Sequence, residues 1–94
     1  MDKVLNLLGL IYRAKKMVLG EEVYKQIKKV KYIIMASDIS EASKVRVLKK
    51  IHYYQIEYLD KYSSAELSSA IGKNNIKLIG IIDEGFKKSL VEKI

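Results

Sequence analysis

The sequence predicts an α/β protein: a three-layer α-β-α sandwich, with helices on both faces of a central mixed sheet of about four strands. Three observations carry this. Segments of helical period alternate with short apolar runs of strand length along all 94 residues. Capping residues and glycines stand at the junctions. Strands separated by helices need crossover connections, which favour parallel pairing and helices on both sheet faces. The expectation is therefore a mainly parallel sheet, its two shortest strands toward the edges and one of them able to run antiparallel.

Each element has a local reason. Val4, Leu7, Leu8 and Ile11 share one helix face behind Asp2, a suitable N-cap. Met17-Val18-Leu19 is a three-residue strand ended by Gly20. Val23, Ile27 and Val30 keep helical spacing, with Glu21 and Glu22 in the first turn and Lys28, Lys29 and Lys31 at the end, as the macrodipole favours. Residues 32–36 form an apolar strand, and Ser37 to Ser40 a loop with a cap. Val45, Leu48 and either Ile51 or His52 mark the inner face of a third helix. Residues 56–59 alternate as a strand. Ser63 and Glu66 make a capping box for a helix carrying Leu67, Ala70 and Ile71, which stops at Gly72. Lys73, Asn74 and Asn75 turn the chain into residues 76–82, apolar on both parities apart from Lys77 and hence buried on both faces. Asp83 caps a last helix with Phe86, Leu90 and either Val91 or Ile94 inward.

Composition narrows the function. The length fits one domain, residues 1–94, and there is no proline, linker or repeat. With no cysteine, a disulfide scaffold, a thiol nucleophile and an iron–sulfur cluster are excluded. No run of about 18 apolar residues suggests a membrane helix, and the start does not read as a signal peptide, so a cytoplasmic location is expected. Eighteen basic against eleven acidic residues give +7, of which +5 falls in residues 1–31. Such a surplus invites a polyanionic partner, although Lys28, Lys29 and Lys31 also fit a solvated helix end.

Little reads as an active site. His52 is the only histidine and has no metal-ligand companions. The acid pairs Glu21-Glu22 and Asp83-Glu84 sit where helix starts want them. There is no nucleophile elbow, phosphate loop or dinucleotide turn. The reading is a non-enzymatic protein without cofactor, metal or small-molecule substrate. Three segments are better suited to binding. One is the basic stretch from Arg13 through Lys15 and Lys16 to Gly20 and the helix start after it, where free N–H groups can meet a phosphate. The second is the loop at 37–40. The third is the turn at 72–75, which joins the other two only if the strand after it runs antiparallel or the turn lies at an edge.

Leu7 to Leu10 with Arg13-Ala14, Val18 to Glu22, Ala36-Ser37-Asp38, His52-Tyr53-Tyr54, Ala70 to Lys73 and Asp83 to Phe86 occur in an order and spacing that resembles the kink-turn-binding ribosomal protein family, the L-seven-Ae group, and within it the small bacterial YlxQ-like branch. The resemblance covers nearly the whole chain. It implies a sandwich around a four-stranded mixed sheet, and RNA binding. It implies that Gly20 is the glycine opening the RNA-binding helix, that Glu21 and Glu22 read guanine edges of sheared G·A pairs in a bent RNA, and that Lys25 is the nearest match to the family's Lys, with Gln26 its rival. It implies that Arg13, Lys15 and Lys16 hold phosphates, that Asp38 and Ile39 flank the site, and that Gly72, Lys73, Asn74 and Asn75 cover a flipped-out base. Irregular RNA exposes base edges that a regular duplex hides. The implied partners are structured RNA, ribosomal RNA among the candidates, and ribosomal or translation-factor proteins. Glu22 stands where many relatives have Asn, and Val23 where they have Glu. Those two changes motivate an alternative: an interaction or assembly module of the same fold that has lost base reading.

Overall fold

The computed structural model describes residues 2–94. In chain order it has α1 (Lys3–Arg13), β1 (Met17–Leu19), α2 (Glu21–Lys25), a 3-10 turn (Ile27–Lys29), β2 (Tyr32–Met35), α3 (Glu41–Tyr54), β3 (Glu57–Leu59), α4 (Ser64–Ile71), β4 (Leu78–Ile81) and α5 (Glu84–Glu92). The strands form one mixed sheet in the order β1-β4-β2-β3. Helices α1, α4 and α5 cover one face, over Tyr32, Ile34, Ile79 and Ile81. Helices α2 and α3 with the 3-10 turn cover the other, over Val18, Ile33, Met35 and Leu78. The sandwich is thus as the sequence predicts, and the short strands β1 and β3 are its edges.

The expected predominance of parallel pairs is corrected. Strand β4 runs antiparallel to both neighbours, Met17 and Tyr32 flanking Ile81 from either side, and only β2 and β3 pair in parallel. Alternation of helices and strands requires crossovers, but it does not say which strand inserts where. Here the last strand enters the middle of the sheet. All four residues of β4 and of β2 are buried, as their apolar runs require.

The caps hold as read. Asp2 Oδ1 accepts from the N–H groups of Val4 and Leu5 at 2.8 and 3.2 Å. Ser40 Oγ accepts from Ser43, the Ser63–Glu66 capping box closes in both directions, and Asp83 accepts from Phe86. Two inward faces differ from expectation. In α3 the buried residues are Val47 and Ile51, while Val45 and His52 are exposed. The stripe that meets the 3-10 turn and β2 is set one residue away from the one Val45 defines. In α5 Leu90 is buried, and Val91 and Ile94 both face outward. The second helix is shorter than its spacing suggests. It leaves helical geometry at Gln26 and continues as the 3-10 turn. Lys25, Lys28 and Lys29 stand three and four residues apart there, an arrangement of like charges that weakens a regular helix. Val23, Ile27 and Val30 all reach the core nonetheless.

A buried hydroxyl ties the start of α1 to the loop before α4. Tyr62 is 4% exposed and donates to Asp2 Oδ2 at 2.7 Å. Burial first, and the carboxylate second, push its phenol up to about 12 from 10.0. The same hydrogen bond holds the Asp2 carboxyl below its usual range. The fold therefore favours neutral Tyr62. That contribution is fully present below about pH 10 and is lost as pH rises toward 12. Thermal melts across that window should show stability falling more steeply for the wild type than for Tyr62→Phe, which removes the titrating group. Parallel curves would refute the assignment.

Candidate nucleic-acid interface

Because β4 is antiparallel, the turn before it stands at the same edge of the sheet as the loops after β1 and β2. That is the condition under which the turn at 72–75 joins the other two segments. The edge encloses a hollow of about 360 Å³ lined by Gly20, Glu21, Ile39, Arg46, Asn75 and Lys77 among others. Gly20 donates its N–H to the Leu78 carbonyl at 3.0 Å, which stitches the start of α2 to the start of β4. Its φ of 56° and ψ of −128° suit glycine alone. Val23 is fully buried beneath α2, so Glu21 and Glu22 point outward.

The electrostatics of the edge are local. Arg46 of α3 holds Glu21 with two hydrogen bonds, 2.7 and 3.1 Å, and its guanidinium lies 3.8 Å from the ring centre of Tyr24. Arg46 holds the Glu21 carboxyl below its usual range, and Glu21 in turn raises Arg46. Glu22 accepts from Gln26 Nε2 at 2.9 Å, with Lys25 Nζ at 3.6 Å, and these partners lower it as well. Both rivals for the base-proximal position therefore touch Glu22, and neither lines the hollow. Both carboxylates are ionised at neutral pH and act as hydrogen-bond acceptors only.

The other loops are firmly built. Asp38 accepts from the Ser64 N–H and hydroxyl at 2.8 and 3.0 Å, clamping the loop after β2 onto the start of α4 and lowering its own carboxyl. Gly72 caps α4 with φ 72°, Asn75 turns the chain at φ 56°, and the Ile76 N–H donates to Ser68 Oγ at 2.9 Å. Lys73 and Asn74 line a shallow polar hollow on α4, about 690 Å³, which meets the first at Asn75. Lys73 Nζ also reaches to 5.6 Å from the Tyr12 ring centre.

The basic residues of the first segment lie elsewhere. Arg13 lines a groove between α1 and α4. The Lys16 carbonyl accepts from Ile82, at the far end of β4. Lys15 and Lys16 are thus separated from Gly20 by the length of β1, about 13 Å at strand rise. The start of α2 is also a weaker anion site than expected, since a five-residue helix has a small dipole. Arg46, Tyr24 and Lys77 are the functional candidates that sequence reasoning misses. Arg46 and Glu21 lie in different helices, and no local pattern links them.

Fold and edge together define a small α-β-α protein that brings three loops together at one edge of its sheet. The chain belongs to the family of the RNA-binding protein YlxQ. It is 39% identical over 96 residues to the RNA-binding protein YlxQ of Enterococcus faecium, covering 99% of this chain and 92% of that one. To the RNA-binding protein YlxQ of Bacillus subtilis it is 35% identical over 88 residues, covering 90% and 88%. A solved structure of a protein with unknown function from Bacillus halodurans superposes with a TM-score of 0.91 at 36% identity, over 98% of this chain and 96% of that one. The Giardia lamblia 15.5kD RNA binding protein superposes with a TM-score of 0.78 at 18% identity, over 94% and 78%, a likeness of fold alone. No family model matches the chain. No helix among the described residues is long and apolar enough to cross a membrane.

Proposed function

We propose that this chain is a non-enzymatic, cytoplasmic RNA-binding protein that recognises a sharply bent RNA of the kink-turn type, in ribosomal or translation-related RNA. The observation that carries the reading is the convergence of the loops at 20–22, 38–39 and 72–75 on one edge, around a hollow bordered by the Glu21 carboxylate and by Arg46. The names of the relatives from Enterococcus faecium and Bacillus subtilis support the RNA part. Glu21 and Glu22 are suited to accept from guanine N–H groups, Asn75 and Lys77 to meet sugar or phosphate, and Lys73 with Asn74 to cover an unstacked base. In this reading no cofactor takes part, and ribosomal or translation-factor proteins are secondary partners.

The test is a titration against a kink-turn RNA and the same RNA with its tandem G·A pairs replaced by G·C. Tight binding to the first alone supports base reading. With about four phosphates contacted, a roughly fourfold rise in salt should weaken binding about 100-fold. Equal binding to both RNAs would refute base reading. A second reading, an assembly module of the same fold, has one observation in its favour: Glu21 and Glu22 are already satisfied within the protein. It gains first place if neither RNA binds.

A further inference from the structure

The opposite end of the sheet carries a charge cluster that the loop edge does not use. Strand β4 ends between β1 and β2, so Lys16 and Lys31 flank it from both sides. Ile82 donates its N–H to the Lys16 carbonyl at 3.0 Å, and the Lys31 N–H donates to the Ile81 carbonyl at 2.7 Å. With two strand spacings between them, their Cα atoms lie about 10 Å apart. Lys15 stands beside Lys16 at a left-handed turn, φ 61°, and Lys28 and Lys29 precede Lys31 in the 3-10 turn. All five side chains are exposed.

Among the described residues the cluster forms no ion pair; those present use Lys25, Arg46 and Lys87. Residues 14–20 and 23–37 contain no acid. Asp83 follows Ile82, but its Oδ2 accepts from the Phe86 N–H at 2.9 Å, and the adjoining Glu57 faces Lys87. Five like charges held on rigid backbone repel one another, and a polyanion relieves that.

The chemistry of the cluster selects the partner. It is all lysine, a compact charge suited to phosphates and poor at bidentate base reading. No large exposed apolar residue belongs to residues 14–31, so nothing there would insert into a lipid surface or anchor a protein. The whole molecule is 31 Å in its longest extent. An RNA held at the loop edge has its flanking helices within reach of the other end.

We propose that Lys15, Lys16, Lys28, Lys29 and Lys31 form a second, sequence-independent contact with the phosphate backbone of a duplex arm leaving the loop edge. The proposal rests on the RNA reading above and deepens it. The experiment uses the full chain, the variant K15Q/K16Q/K28Q/K29Q/K31Q and the matching five-arginine variant. Each is titrated against one bent core carrying arms of about four or about 16 base pairs. The wild type should bind the long-armed RNA at least tenfold more tightly and with a steeper salt slope. The glutamine variant should lose that gain and bind the short-armed RNA as the wild type does, and the arginine variant should recover it. Exposed positions keep the fold, which a thermal melt verifies. Wild-type-like binding by the glutamine variant, equal loss on both RNAs, or no gain from long arms would overturn the second contact while leaving the loop edge standing. If the glutamine variant lost binding only to anionic vesicles, the surface would belong to a membrane and the proposal would fail. Failure of the wild type to bind either RNA would sink the loop-edge reading and this one together.

Discussion

Gly80→Ala should lower the melting temperature by about 4–20 °C, the consequence of a packing cost of about 1–3 kcal/mol in a chain of this size. Gly80 sits in β4 under the α2 face. An added Cβ would stand 3.0 Å from Val18 Cγ2, 3.1 Å from Val30 Cγ2 and 3.4 Å from Val23 Cγ2. Those three methyl groups come from β1, from the lead-in to β2 and from α2, so they cannot all retreat in one direction. The easiest to move is α2, a single short turn of helix. Its displacement carries Gly20 and Glu21 with it and opens the hollow. A loss of stability should therefore come with weaker binding to the bent RNA. Melts and titrations on the same preparation check both. An unchanged melting temperature would mean that the valines repack without strain.

Gly20→Ala should also destabilise, by about 1–3 kcal/mol, for a different reason. Nothing lies within 4 Å of a Cβ added there, so crowding plays no part. The cost is the backbone itself, since φ 56° with ψ −128° is a conformation that side chains with a Cβ rarely adopt. The alanine variant restricts the unfolded chain as well, which offsets about 0.4–1 kcal/mol. If the segment relaxes instead, the Gly20 N–H to Leu78 bond is lost and Glu21 leaves Arg46. The two glycine variants thus separate packing from torsional strain. Chemical denaturation at one pH measures both, and a neutral Gly20→Ala would refute the strain argument.

Most of the fold was legible because its signals are local. The caps at Asp2, Ser40, Ser63 and Asp83 need only neighbours within one turn, and all four function as read. The buried strands β2 and β4 announce themselves by apolar runs. What was not legible is relational. Nothing in residues 76–82 tells whether that strand lies beside β1, β2 or β3, or which way it points. The sequence leaves the inner face of α3 ambiguous because Val45 and Val47 are equally apolar, and only packing against the 3-10 turn in the shared core decides between them. The candidate site follows the same division. Each loop could be found from its Gly, Asp or Asn, whereas their meeting depends on the direction of β4. The Glu21–Arg46 pair spans 25 residues and leaves no trace in any window.

The central position of β4 also orders the events of folding. Met17 must wait for Ile81 before β1 has a partner, and β2 keeps one side unpaired until the same strand inserts. Before that, only the parallel β2–β3 pair can form, and two strands make a marginal sheet. Strand pairs so far apart in sequence are among the slower contacts to form. During synthesis, residues 17–19 leave the ribosome with an unsatisfied edge, and they are too few to template pairing with another chain. The loop edge is built by the same step, because Gly20 and Ala36 donate to the carbonyls of Leu78 and Lys77. Completion of the sheet and assembly of the loop edge are therefore a single event, and a nascent chain that has not yet reached Ile81 lacks the strand on which those loops converge.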